Sequence, residues 1–352
     1  MFKTFLTVFT MMGISLLAVN IDTDRGLKQN QASAKENDHN FKSVNPSNFP
    51  LTILRPGKNY HHLIVHKFYI KQDKLTEIIA PNAKVEKVAT GFGFIEGPLW
   101  HPDGFLLFSD IRANTIYQWQ PKQNTEVFRQ PSGNANGNAF DLSGRLITGE
   151  HGNRRVSRTE KDGRVVTLAD RYRGKQLNSP NDLAVKSDGS IYFTDPPYGI
   201  KPEQEELGFY GVYRLAQDGT LTLLVDDFVR PNGIAFSPDE TKLYVNDSQE
   251  GHIRVFNVGS DGMLDNGKVF AELEPPSEKG AADGMKVDVK GNIYSTAPGG
   301  VWVFSPKGDL LGIIKTPEPP ANIAWGDEDY KTLYVTARTS LYRIRLQIPG
   351  LP

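Results

Sequence analysis

The sequence predicts an all-β fold, a six-bladed β-propeller with four-stranded blades, and a recurring pattern is the main reason. From residue 83 onward a polar residue opens an apolar strand, a turn follows, and a second strand ends near an acidic or small residue. Six copies start at residues 96, 136, 181, 232, 283 and 321, at intervals of 38 to 51 residues. That spacing is typical of propeller blades and is too long for solenoid coils.

Turn chemistry supports a hairpin at the start of the copies. Four copies place a glycine where the two strands must reverse, in Asp103-Gly104, Ser143-Gly144, Asp188-Gly189 and Lys290-Gly291. Such pairs favour tight β-turns. A second hairpin follows in most copies, as in residues 211–225 and 300–314. Two successive hairpins make one four-stranded blade.

The two ends of the repeat region predict a closed ring. The sixth copy stops after residues 341–346, one strand short, and residues 83–89 resemble the missing outer strand. Pairing of these amino- and carboxy-terminal strands would close the ring and remove its open edges. We therefore expect a single propeller domain over residues 81–352.

The amino-terminal residues resemble a secretory signal. Lys3 precedes an uncharged apolar run from Phe5 to Val19, and polar residues follow directly. This pattern predicts export to the periplasm or the extracellular space. Retention as a membrane anchor is the alternative, although a run of 15 residues is short for a spanning helix. We assign residues 1–34 to a signal peptide or membrane-anchoring segment with its linker, and residues 35–80 to an amino-terminal extension.

Composition excludes several function classes. Forty basic residues stand against 41 acidic ones, so the formal net charge is -1. We expect no nucleic-acid partner because no global field would attract a polyanion, and no feature implies a stable protein partner. The chain has no cysteine, so any metal must be held by oxygen or histidine nitrogen. The absence of a G-x-S-x-G phrase argues against a serine acyl-enzyme.

The first residues of the six copies form one column around the predicted axis. The column reads Glu96, Asn136, Asn181, Asn232, Asp283 and Ala321. Asn and Asp are common turn residues, which explains any single member. Glu96 fits that explanation less well, because it lies among apolar residues where an unpaired carboxylate is costly. An oxygen site with two carboxylates suits calcium best, while zinc, manganese, magnesium and iron(II) stay open.

Five phrases carry a resemblance to a known family, and they span residues 89–100, 149–156, 179–183, 230–234 and 282–285. Through them the chain, from about residue 68 to 346, resembles the gluconolactonase and senescence-marker-protein (regucalcin) family of calcium-dependent six-bladed propellers. The resemblance implies a hydrolase that opens a sugar lactone such as glucono-1,5-lactone, with water attack assisted by a divalent cation in the tunnel. Carried over by motif, it implies that the metal is held by Glu96, Asn181, Asn232 and Asp283.

Other residues near the column complete the predicted site. Asn136 and Asp182 are candidate substrate contacts, and Asp283 or a neighbouring carboxylate is the candidate base. Asp195 and His151 are further catalytic candidates, although an Asp before two prolines is a common turn and a lone His is often structural. Two other functions stay open: a strictosidine-synthase-like propeller enzyme, and a non-catalytic propeller that binds a sugar or a protein and keeps calcium for stability.

Overall fold

The computed structural model describes residues 72–80, 82–273 and 279–351, together with three short strands nearer the amino terminus. The chain divides into two compact units, residues 1–62 and residues 63–352. In the first unit, β1 (Phe5–Val8), β2 (Leu17–Asn20) and β3 (Lys28–Asn30) form an antiparallel sheet in that order. Most of the predicted signal segment and extension lies outside the described residues. Within the described part, no helix is long and apolar enough to cross a membrane.

The second unit contains six four-stranded antiparallel sheets, which confirms the predicted fold. It opens with a 3-10 helix, Gln72–Glu77, and strand β4 (Glu86–Thr90). Blade 1 contains β5 (Ile95–His101), β6 (Phe105–Asp110), β7 (Thr115–Trp119) and β8 (Glu126–Arg129). Blade 2 contains β9 (Ala135–Phe140), β10 (Leu146–Glu150), β11 (Arg155–Thr159) and β12 (Val165–Ala169), and a small ribbon, β13 (Arg171–Tyr172) with β14 (Lys175–Gln176), follows it.

The remaining blades repeat this plan. Blade 3 contains β15 (Leu183–Val185), β16 (Ile191–Asp195), β17 (Tyr210–Leu215) and β18 (Leu221–Phe228), with a 3-10 turn at Pro202–Gln204. Blade 4 contains β19 (Pro231–Phe236), β20 (Lys242–Asp247), β21 (His252–Val258) and β22 (Leu264–Glu272). Blade 5 contains β23 (Met285–Val287), β24 (Ile293–Ala297), β25 (Gly300–Phe304) and β26 (Leu310–Ile314). Blade 6 contains β27 (Asn322–Gly326), β28 (Thr332–Ala337), β29 (Ser340–Arg345) and β4.

The ring is closed as the sequence predicts. Strand β4 pairs with β29, with Ala89 opposite Leu341 and Lys87 opposite Tyr342. The first strands of the blades lie against one another in a complete cycle, from β5 through β9, β15, β19 and β23 to β27 and back to β5. These six strands therefore surround the axis. Ile78, which the sequence-based boundary assigned to the extension, is 2% exposed and packs in the core of blades 5 and 6.

Apolar packing between blades forms the core. The second strand of each blade is almost fully buried because both of its faces meet a neighbouring blade. Ring pairs bridge adjacent blades: Trp100 stacks on Tyr334 with centroids 5.6 Å apart, and Tyr294 meets Trp325 edge-on at 5.0 Å. Such pairs add stability beyond their buried area. The blades are thus held rigidly around the axis.

Close backbone approach at the axis explains a glycine that follows the column residue in four copies. These glycines are Gly97, Gly137, Gly233 and Gly284. At Gly233 a Cβ atom would lie 2.2 Å from the carbonyl oxygen of Asp283 in the next blade. The Gly233 amide donates to that same oxygen at 2.9 Å. Any side chain here would push neighbouring blades apart.

Replacing Gly233 with alanine therefore tests the packing at the axis. We expect Gly233→Ala to lower the free energy of unfolding by about 3 kcal/mol or more, because the clash is with backbone that cannot rotate away. Gly163→Ala is the control, since a Cβ there meets no atom within 4 Å and only the φ of +84° is strained, which costs about 1 kcal/mol. Urea unfolding measures both, and equal losses would contradict this account.

Candidate active site

The column residues lie where the first strands lose regular pairing. Register shifts occur next to Glu96 in β5, beside Asn136 in β9 and around Asn232 in β19. Asn181 and Asp283 come just before β15 and β23. Bulges and strand starts of this kind re-aim side chains away from simple alternation. The polar groups can therefore point toward the axis although the strands are otherwise buried and apolar.

Side chains of first and second strands hold this irregular backbone in place. Thr194 Oγ1 donates to the carbonyl oxygen of Asn232 at 2.8 Å, across blades 3 and 4. Asn246 Nδ2 donates to the carbonyl oxygen of Asp283 at 2.6 Å, across blades 4 and 5. Asn138 Nδ2 does the same for Gly97 at 2.9 Å, across blades 2 and 1. Each of these stretches of the column is thereby positioned by a neighbouring blade.

Two column carboxyl groups, those of Glu96 and Asp283, lie close enough together to shift each other's pKa. Glu96 is 2% exposed. Burial, reinforced by the nearby Asp182 charge, raises the pKa of Glu96 to about 7. Burial and the Glu96 charge likewise raise the pKa of Asp283 well above its usual range. Two carboxylates at this distance cannot both ionise at low cost unless a cation joins them.

Asp182 and Asn322 lie close to this pair, and Lys286 lies against Asp182. Asp182 is 1% exposed, and Lys286 Nζ approaches its Oδ2 atom at 3.8 Å. Burial raises the pKa of Asp182, and Lys286 opposes that rise. Asn322 is within hydrogen-bonding reach of both Glu96 and Asp182. Three carboxyl groups therefore share one ammonium group, which leaves an excess of negative charge in a buried place.

Sequence reasoning missed Lys286 and Asn322. The repeat alignment put Ala321 in the column, whereas the side chain that reaches the site is the next one along the chain. Position two of each copy is glycine in four blades and is occupied by Asp182 and Asn322 in the other two. This pattern could have identified both residues from the sequence, because a polar side chain stands where the other four copies have glycine.

The residues present fit a divalent cation with oxygen ligands. Asn136 Oδ1 and Asn232 Oδ1 are buried without a hydrogen-bond partner among the described residues. Buried acceptors are normally satisfied, so these oxygens indicate a missing positive partner. Within the described residues, no three His, Cys, Asp or Glu side chains form a metal cluster. The predicted ligand set would instead combine two carboxylates with two carboxamides, which suits a hard cation.

Asn136 and His151 form a neutral pair beside the axis. Asn136 Nδ2 and His151 Nε2 are 3.2 Å apart, and both side chains are buried. Burial lowers the pKa of His151 to about 4. At neutral pH the ring is therefore uncharged, so it can hydrogen-bond but does not act as a cationic acid. The predicted substrate contact and the predicted catalytic histidine are brought together.

Asp195 lies apart from the carboxyl pair. Its Oδ2 atom accepts the amide proton of Asn178 at 2.8 Å, and Arg154 contributes a nearby positive charge. Burial raises the pKa of Asp195 to about 7. Asp247, the corresponding residue of blade 4, accepts the amide protons of Val229 and Arg230 in the same way. Asp195 thus holds the loop that leads to Asn181 through a backbone amide, while its Oδ1 atom has no hydrogen-bond partner among the described residues.

Tyr198 borders the site from the loop after β16. Its hydroxyl group is within hydrogen-bonding reach of Ser248 and Asn232. Burial of that group and the charge of Asp283 raise the pKa of Tyr198 to about 12. The hydroxyl group is therefore a proton donor at any physiological pH. The sequence analysis gave this tyrosine no role.

Fold and site together define a six-bladed propeller enzyme with an acidic, oxygen-lined centre on its axis. The family model described as SMP-30/Gluconolactonase/LRE-like region matches residues 94–339. The chain belongs to this family, as the sequence motifs indicated.

Individual relatives support the same family assignment. The gluconolactonase of Zymomonas mobilis is 34% identical over 313 residues, which cover 81% of this chain and 87% of that protein. The pentonolactonase XacC of Haloferax volcanii is 28% identical, over 68% of this chain and 80% of its own length. A solved gluconolactonase from Xanthomonas campestris superposes with a TM-score of 0.72 at 37% identity, and covers 78% of this chain and 93% of the solved chain. These relatives are named as lactone hydrolases.

Neutralising one carboxyl group of the buried pair should stabilise the metal-free protein. The folded pKa of Glu96, about 7, lies above its ordinary value of 4.5, so the folded state binds more protons. Stability is then lost as the pH rises from about 4.5 to 7. We expect Glu96→Gln, measured in chelator, to raise the free energy of unfolding at pH 8 by about 2 kcal/mol and to change it little near pH 4.5.

Glu126→Gln, at an exposed position on β8, is the matched control. It should leave the free energy of unfolding unchanged at both pH values. Denaturant unfolding at both pH values gives the comparison. A Glu96→Gln protein that is less stable than the wild type at pH 8 would show that the ionised pair is satisfied without a cation.

Proposed function

We propose that the protein hydrolyses a sugar lactone, glucono-1,5-lactone being the first candidate, with calcium bound by Glu96, Asn181, Asn232 and Asp283. The observation that carries the proposal is the closeness of Asp283 to the buried Glu96, since the two charges together need a cation. The similarity to a gluconolactonase at 34% identity supports the substrate class. The oxygen ligands favour calcium, and zinc, manganese, magnesium and iron(II) are alternatives for the loading experiment.

A bound divalent cation would supply Lewis-acid polarisation of the lactone carbonyl group. The chain's own residues then have separate tasks. The Asp283 carboxylate accepts a proton from the attacking water while the water oxygen bonds to the carbonyl carbon. The ring C–O bond breaks and the ring oxygen takes up that proton, which gives the open hydroxy acid. Nothing else is consumed or released.

Neutral donors and acceptors position the substrate. Asn136 and His151 lie together at 3.2 Å, are uncharged, and can bind sugar hydroxyl groups. Lys286 beside Asp182 limits the negative charge of the site and thereby favours ionisation of the carboxyl groups. Asp195 positions the loop before Asn181 through the amide of Asn178. We assign it a positioning role and leave proton transfer to Asp283.

Lactonase relatives favour hydrolysis over the two other functions that the sequence left open. A strictosidine-synthase-like enzyme would not need the oxygen ligand set. A non-catalytic propeller could bind calcium, but it would show no turnover. Metal-dependent hydrolysis therefore separates the three functions.

The test is acid release from glucono-1,5-lactone by protein stripped with chelator, before and after calcium is added. We expect activity to fall by about 100-fold or more on stripping and to return with calcium. Glu96→Gln and Asp283→Asn should not recover, whereas Glu126→Gln should behave as the wild type. Full activity in chelator would disprove metal dependence. Loss of thermal stability on chelation without turnover of any lactone would support the binding propeller.

Export is a second part of the proposal. The apolar run from Phe5 to Val19 after Lys3 supports a periplasmic or extracellular location, with anchoring through the amino terminus as the alternative. Cell fractionation with amino-terminal sequencing tests it. A cytosolic protein with an intact Met1 would contradict export.

A further inference from the structure

The segment that follows β16 in blade 3, residues 196–199, lies close to both neighbouring blades. On one side Gly199 donates its amide proton to Ser179 Oγ at 2.9 Å, and a Cβ added there would lie 2.7 Å from His151 Cβ in the blade 2 loop. On the other side Tyr198 lies close to Arg230, Asn232 and Ser248, at the start of blade 4 and after its second strand. Consecutive residues of one short loop thus touch the two polar groups that flank the proposed site.

The aromatic ring of Tyr198 is much more exposed than the rings of the blade strands. It is 41% exposed, whereas the tyrosines of the blade strands include five with less than 2% exposure, namely Tyr192, Tyr213, Tyr294, Tyr334 and Tyr342. The Arg230 guanidinium group lies 6.0 Å from the ring centroid. An exposed aromatic ring with a polar hydroxyl group is suited to ligand contact.

We propose that Tyr198 is a specificity-determining residue that contacts the substrate, selecting a six-membered lactone ring that carries hydroxyl groups. The exposed ring is the platform on which the C–H face of the lactone packs. The hydroxyl group beside Asn232 donates a hydrogen bond to a substrate hydroxyl oxygen. The inference rests on the proposed lactonase function and names the residue that sets its substrate class.

Two properties of the contact follow from the chemistry. A hydrogen bond to a substrate hydroxyl group is lost only for substrates that have one, and a site built to make such a bond discriminates strongly. Ring packing is lost for every six-membered lactone, since it depends on apolar area alone. The two parts of the side chain can therefore be tested separately with two substrates and two variants.

The substrates are glucono-1,5-lactone and δ-valerolactone, which share ring size and differ in hydroxyl groups. We expect Tyr198→Phe to lower kcat/KM for gluconolactone by about tenfold and to change that for δ-valerolactone less than twofold. Tyr198→Leu should raise KM for both lactones by about tenfold, since it removes the platform. Tyr172→Phe is the matched control, because Tyr172 also carries an arginine over its ring, at 5.1 Å, but lies on β13.

A merely structural role would give another result. If Tyr198 only supports Asn232, Tyr198→Phe should shift the calcium concentration for half-maximal thermal stabilisation and should impair both substrates equally. That outcome overturns the inference, as does an unchanged Tyr198→Phe enzyme. An unaltered calcium midpoint with loss confined to gluconolactone confirms it.

Binding of 1,5-anhydro-D-glucitol, a ring that cannot be hydrolysed, separates this inference from the proposed function. Calorimetry on the calcium-loaded protein should show weaker binding by about tenfold in Tyr198→Phe. If the wild type turns over no lactone but this loss is seen, the hydrolase proposal fails and the contact stands. If the enzyme is active and both variants bind the ring as the wild type does, the contact is disproved.

Discussion

The close approach of six first strands around one axis is the constraint on which the rest of the structure depends. Backbone amides and carbonyls of neighbouring blades bond directly there, as Gly137 does to Asn181 at 3.0 Å and Gly233 to Asp283 at 2.9 Å. Only glycine leaves room for that contact at most of these positions. The irregular pairing that results releases the preceding side chains from strand alternation. Column residues of different blades thereby meet at the axis.

Meeting at the axis concentrates charge. Glu96, Asp182 and Asp283 lie close enough to disturb one another, and Lys286 offsets only part of their charge. The fold tolerates this cost because interblade packing, not the site, supplies most of the stability. The apolar second strands and the ring pairs between blades are rigid enough to hold carboxyl groups together that would otherwise separate. The site residues thus repel one another locally, and the packing between blades stabilises the protein enough to hold them together.

Identical residue types serve two purposes in this ring. Asp110, Asp195 and Asp247 end the second strands of three blades, and their oxygens accept loop amide protons. Glu96 and Asp283 begin first strands and face one another instead. Burial raises the pKa of Asp195 and of Glu96 to about 7 alike. Geometry, and not the size of the pKa change, distinguishes the positioning residue from the site residues.

The sequence by itself determined the fold and the family. Strand and turn patterns repeat along the chain, so the blade number, the four-stranded sheets and the pairing of β4 with β29 could be predicted from local chemistry. The polar column could be found for the same reason, since equivalent positions of a repeat converge at the axis. The motifs around Glu96, Asn232 and Asp283 identified the family, which the matching family model confirms.

Only the tertiary structure decided which polar groups meet. In the structure Asn322, and not Ala321, lies at the site. Lys286 and Tyr198 also lie there, and Asp195 accepts a hydrogen bond from a loop amide. These contacts join residues far apart in the chain, across blades and at irregular strand starts where side-chain direction does not alternate. Sequence spacing predicts direction only where the strand is regular. The bulges around the axis, set by packing between blades, are the reason that the site could not be completed from the sequence.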